Sequence, residues 1–143
     1  MVSNYLRSVF YLYFQICILT EGVGCCVKAM NPSAIEPSLL RGLYPVLERA
    51  GSANYLIASA GLEALSLIAS VTGHQDIISL LNANMDYISH TLSTRLRRPH
   101  ENPAVFDALT LVLRHASQDT LPGIRDIVND VSRSENNEIA TTP

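Results

Sequence analysis

The segment that most constrains this chain is ANYLIASAGLEALSLIASV, residues 53–71. Ser59, Glu63, Ser66 and Ser70 recur every three or four positions and fall on one narrow stripe of a helix. Leu56, Ile57, Ala60, Ala64, Leu65, Leu67, Ile68 and Val71 fill the rest of its circumference. A helix that is apolar over most of its girth must be enclosed on several sides. Its neighbours then have to supply the complementary apolar faces. No segment shows sustained alternation of period two, and no Asn-Gly or Asp-Gly pair marks a hairpin. The fold class is all-α.

The remaining segments read as helices on short joints. The first covers about Tyr5 to Met30, with Gly22 and Gly24 as possible disturbances. NPSAIEP is expected to be a joint, because the residue before a proline is pushed out of the helical region. The second segment is about Pro37 to Ala50, bent at Pro45, with Gly51 at its end and Ser52 capping the next helix. Gly73 closes the third. The fourth, about Gln75 to Arg97, carries Ile77, Ile78, Leu81, Met85, Ile88, Leu92 and Leu96 on one face. Asp76, Ser79, Asp86, His90, Ser93 and Arg97 lie on the other.

RPHENP is a loop with Asn102 as cap and Pro103 as first helical residue. The fifth segment, about Pro103 to Ala116, is expected to bury Phe106, Leu109, Val112 and Leu113. The sixth, about Leu121 to Ser132 and capped by Asp119 or Thr120, should bury Leu121, Ile124, Ile127, Val128 and Val131. The polar end, residues 134–143, is expected to be a disordered tail. About six helices on short joints leave two architectures, a globular bundle or a stack of antiparallel helix pairs. Segments three and four, and five and six, look like two consecutive pairs.

In this division, residues 1–35 are an N-terminal apolar helix and joint that need not belong to the repeat. Residues 36–133 are the helix pairs. The chain has 143 residues, 48% of them apolar and 16% charged, with net charge −3. That is enough for one cored domain, and a mildly acidic chain lacks the general basic footprint of a nucleic-acid binder. Cys17, Cys25 and Cys26 make an odd count without a CxxC, so no disulfide framework or zinc site is expected. Cys25 and Cys26 could be reactive, but are expected as buried free cysteines that behave as small hydrophobes. The one sequon-like triplet is blocked by Pro32. These features fit a reducing compartment.

RSVFYLYFQICIL, residues 7–19, pulls the other way. One cation precedes a dozen mostly apolar residues, as in a signal-peptide core, which gives the alternative of a secreted or membrane-anchored helical protein. The run is short of the roughly 20 residues of a membrane span, and a buried helix at one end of a helical stack competes with it.

Polar chemistry concentrates in NANMDYISHTLSTRLRR, residues 82–98. Asp86 and His90 are four apart and can touch, but no nucleophile elbow or third ligand accompanies them. A solvated helix face accounts for them, so no catalytic, cofactor or metal residue is assigned and no cofactor is expected. Arg95, Arg97 and Arg98 close the helix, where cations complement the helix dipole. They are also candidates for contact with an acidic partner surface. Asp126 and Asp130 are like charges four apart, awaiting a basic neighbour.

Three phrases in series resemble one family: LYPVLERAG (Leu43 to Gly51), NANMDYISHTLSTRLR (Asn82 to Arg97) and PAVFDALTLVLRHASQDTLPGIRDIVNDV (Pro103 to Val131). They are similar to stretches of the Tel-two-interacting protein one family, the large HEAT-repeat scaffold subunit of the TTT co-chaperone complex. Asn82, Asp86, Tyr87, Leu96, Arg97, Leu121, Pro122 and Asp126 are the matching positions, read mostly as packing and joint residues. The resemblance implies a HEAT-type α-solenoid and an internal portion of a longer scaffold, with no enzymatic activity. It implies partners among the other TTT subunits, phosphatidylinositol-3-kinase-related kinases and the heat-shock chaperone machinery, in cytoplasm and nucleus. No nucleic acid and no membrane is expected among them.

Overall fold

The structure is a computed structural model that describes residues 2–115, 122 and 124–129. Six helices follow one another: α1 (Val2–Ala29), α2 (Pro32–Ala50), α3 (Tyr55–Val71), α4 (Ile77–Ala83), α5 (Met85–Leu96) and α6 (Val105–His115). Residues 124–129 are also helical, and no strand occurs among the described residues. The fold is all-α, in keeping with a helical repeat. The expected burial of Leu121 and Val131, the caps at Asp119 or Thr120, Asp130 and the tail lie outside the described residues.

α3 is the hub. Its main neighbours are α1 and α2, and α2 in turn carries α6. The expected pairing of the third segment with the fourth is present as a smaller contact between α3 and α4, and the sixth segment, expected to pair with the fifth, lies partly outside the described residues. Ser59, Glu63, Ser66 and Ser70 are exposed, as their stripe requires, while Ile57, Ala60, Ala64, Leu65, Ile68 and Ala69 are buried. Leu56 departs from the expectation and is exposed. One core gathers Leu43, Tyr44 and Leu47 of α2, Leu65 and Ile68 of α3, Leu80, Leu81, Ile88 and Leu92 of α4 and α5, and Leu111 and Val112 of α6.

Two close approaches set this packing. A methyl group at Gly61 would overlap the backbone of Arg49 and Ala50, and one at Gly51 would overlap the carbonyl of Asp107. Glycine at these two positions lets α3 and the first turn of α6 sit directly on the end of α2.

The helix ends follow local chemistry. α3 starts at Asn54, whose side-chain oxygen accepts from the Leu56 and Ile57 amides; Ser52, expected as the cap, instead accepts from the Asn54 amide. α3 ends with Gly73 at φ 79°, and the His74 and Gly73 amides return to the carbonyls of Ala69 and Ser70. Asp76 and Ser79 form a reciprocal capping box at the start of α4. The backbone and side-chain hydrogen bonds from Ser79 hold the exposed Asp76 carboxyl below the usual range.

Several boundaries correct the sequence reading. α1 runs unbroken through Gly22 and Gly24. NPSAIEP is not a joint: α2 begins at Pro32 and passes through Pro37 as well as Pro45. The carbonyls that lose a partner at these prolines belong to Ser33 and Arg41, four residues back. Residues 33, 37, 41 and 45 all lie on the exposed side of α2, so water can satisfy those carbonyls.

The fourth segment is two helices, broken at Asn84. The Asn84 side-chain amide donates to the Leu80 carbonyl at 2.8 Å, a local alternative to continued helix. The break changes the buried set: Leu80 enters the core and Ile78 is exposed. α6 starts at Val105 rather than Pro103 and buries Val105, Ala108, Leu111 and Val112. Phe106 and Leu113, expected inside, are exposed. In the last helical stretch Ile124 is buried, Ile127 partly buried and Val128 exposed.

Candidate partner-contact site

Arg95 leaves the surface cluster in which the sequence placed it. Leu92 and Leu96, three before and one after, are buried and seat the end of α5 against the core. Arg95 is thereby carried over α2. Its guanidinium lies 4.5 Å from the centre of the Tyr44 ring and 3.2 Å from Glu48 Oε1. Tyr44 and Glu48 are one turn apart on α2, so a single arginine spans both. Arg95 Nη1 also lies 3.5 Å from Asn102 Oδ1, which reaches in from the loop before α6. Stacking on an aromatic face while holding a carboxylate suits the flat guanidinium group.

Burial dominates the electrostatics of this cluster. The Tyr44 ring is buried, and its hydroxyl has no hydrogen-bond partner in the described structure. Desolvation, with a smaller contribution from the Glu48 charge, pushes its pKa up to about 12. Desolvation also raises the Glu48 carboxyl above its ordinary value, against the opposing pull of Arg95. The cluster therefore joins α2, α5 and the loop before α6. Arg95 is engaged within the chain, while its side chain remains 39% exposed.

Arg97 and Arg98 are exposed. Arg98 Nη1 lies 3.7 Å from Glu101 Oε2, a local pair across the turn that leaves both groups in water. His100 Nε2 approaches the same carboxylate at 3.8 Å. Arg97 makes no ion pair among the described residues. These two arginines face water, whereas Arg95 is also tied to α2.

The other predicted positions are scattered. Asp86 and His90 are both exposed on α5, and no hydrogen bond or ion pair joins them. Asn82 is exposed on α4, Tyr87 is half-buried, and Leu96 is in the core. Pro122 and Asp126 are exposed; Leu121 lies outside the described residues. No group of three or more His, Cys, Asp or Glu with metal-holding geometry occurs among the described residues. Cys25 and Cys26, expected as buried small hydrophobes, are exposed.

Sequence reasoning missed one surface. A cleft of ≈ 450 Å³ opens between α1 and α2, floored by Leu43 and Ile68 and walled by Ile18, Val23, Val27 and Leu39. Its signal was present in the two apolar helices that border it. What could not be read was that they diverge over α3 and leave it open.

Comparison with known proteins places the chain. The sequence model of the family described as TELO2-interacting protein 1 matches residues 43–132, which run from α2 through the last described helix. The mouse TELO2-interacting protein 1 homolog is 33% identical over 118 residues, covering 82% of this chain. The human homolog is 32% identical over the same length. The chain spans 11% of the length of each of these relatives. No solved structure matches. With more than half its residues inside the family match, set on an all-α stack, the chain belongs to the TELO2-interacting protein 1 family.

Proposed function

We propose that this chain is part of a non-enzymatic helical-repeat scaffold that binds protein partners. The observation that carries the reading is the family match over residues 43–132, coincident with a stack of helices that share one core. The relatives are named for interaction with TELO2, and TELO2 is the first partner we assign to this chain. The wider assignment follows the family resemblance: the other TTT subunits, phosphatidylinositol-3-kinase-related kinases with their chaperone machinery, and a place in cytoplasm and nucleus. Arg97 and Arg98, at the exposed end of α5, are the proposed contact with an acidic partner surface. Cations on such a rim act mainly on association rate and its salt dependence.

The test is co-precipitation of TELO2 with the longer protein that contains this chain. The expected result is recovery of TELO2, weakened by Arg97→Glu/Arg98→Glu and more so at low salt. A longer protein that recovers neither TELO2 nor the kinases would sink the scaffold reading. Undiminished recovery by the double variant would sink the arginine contact alone.

A further inference from the structure

We infer that α1 is the seam of a two-fold dimer, paired antiparallel with α1 of a second copy of this chain. The docked side of α1 is marked by Thr20, Gly24 and Val27: Gly24 meets Ala64 of α3, and Thr20 and Val27 are buried. Arg7, Tyr11, Phe14, Ile18, Glu21 and Cys25 follow one another at alternating steps of four and three residues, the spacing of a helix-pairing stripe. At about 3.6 residues per turn, that stripe runs along the side of α1 turned away from the docked one. All six residues are exposed. A second helix can lie along them without meeting α3.

No polar face orients the first half of α1, since Leu6, Leu12 and Tyr13 are exposed as well. The charges do. Before Lys28, α1 carries one Arg and one Glu as formal side-chain charges, Arg7 and Glu21. Both lie on the stripe at opposite ends, ~21 Å apart along the axis, too far to meet within one chain. Neither makes an ion pair among the described residues. A parallel pair would set Arg7 against Arg7 and Glu21 against Glu21. An antiparallel pair with its two-fold axis near Phe14 brings Arg7 of each copy within a turn of Glu21 of the other, so both ends are matched at once. The area is sufficient for a weak dimer. Phe10, beside the stripe, is 64% exposed, Tyr11 63% and Phe14 55%. At roughly 200 Å² per aromatic side chain, these three offer on the order of 350 Å² from each copy. With Ile18 and the charged ends, the pair approaches the ~1,000 Å² at which specific interfaces begin, so the dimer should dissociate on dilution.

The experiment is sedimentation of the intact chain over a dilution series. A monomer–dimer equilibrium is expected, and Phe14→Asp should abolish it. Arg7→Glu and Glu21→Arg should each weaken the dimer about tenfold, because each sets like charges together at both ends. Arg7→Glu/Glu21→Arg exchanges the signs, restores both pairs and should return the dissociation constant to that of the parent. Circular dichroism of each variant should match the parent, as should the urea midpoint at dilutions where the parent is monomeric, since the changes lie outside the core. A monomer at every concentration overturns the proposal, and pelleting of that monomer with phosphatidylcholine vesicles would give the face to lipid instead. Open-ended larger oligomers overturn it too, because a two-fold seam closes on itself. So does a dimer that survives Phe14→Asp, or a double charge variant no tighter than the single ones. None of these outcomes bears on the TELO2 co-precipitation.

Discussion

Arg95, Arg97 and Arg98 lie within four positions of one another, and their fates differ by neighbourhood. Arg95 projects over Tyr44 and Glu48, while Arg97 and Arg98 project into water. A stacked guanidinium contributes about 0.5–2 kcal/mol and a half-exposed ion pair somewhat less, after screening. Arg95→Ala is therefore expected to cost about 1–2 kcal/mol in urea unfolding, and Arg97→Ala to stay within about 0.5 kcal/mol. Equal effects would mean that the contacts of Arg95 with Tyr44 and Glu48 add no stability. The sequence alone could not separate the three, because the partners of Arg95 lie 47 and 51 positions away.

Element by element, local chemistry was the most readable layer. The start of α3 needed an Asx or Ser cap and found Asn54, two residues from the position expected, and Gly73 closes α3 where a left-handed residue was needed. The α3 polar stripe was legible because only one face of that helix is polar. α6 was not, because its apolar residues form one arc too broad to be buried whole, from Ala108 through Val105 to Phe106. Tertiary contact chose the face with Val105 and Ala108, where the backbone of Asp107 presses on Gly51. The same closeness governs α2 and α3. Gly→Ala inside a helix ordinarily stabilises by about 1 kcal/mol. At Gly61 the added methyl meets the backbone of Arg49 and Ala50, and overpacking of this kind costs about 1–3 kcal/mol. Gly61→Ala is expected to lower the urea midpoint; a rise would show that α2 and α3 have room to separate.

At the scale of the molecule, the core lies between α2 and α6, and α1 is half inside it. Removing residues 1–15 takes away a stretch in which Tyr5 to Gln15 are exposed apart from the half-buried Val9, while Thr20, Val23, Gly24 and Val27 keep α1 docked. The shortened chain is expected to unfold at an unchanged urea midpoint. A drop of more than about 1 kcal/mol would place the free half of α1 inside the cooperative unit.

The sequence by itself determined the helical class, the extents of α1 and α3 and the α3 stripe, because propensity, periodicity and capping act over a few residues. Its three phrases also carried the family. Only the tertiary structure decided the break at Asn84, the buried face of α6, the passage of α2 through two prolines and the capture of Arg95 by Tyr44 and Glu48. The face of α6 and the place of Arg95 depend on residues distant in sequence, while the break and the prolines depend on what replaces a lost backbone hydrogen bond, a side chain at Asn84 and water along the exposed side of α2.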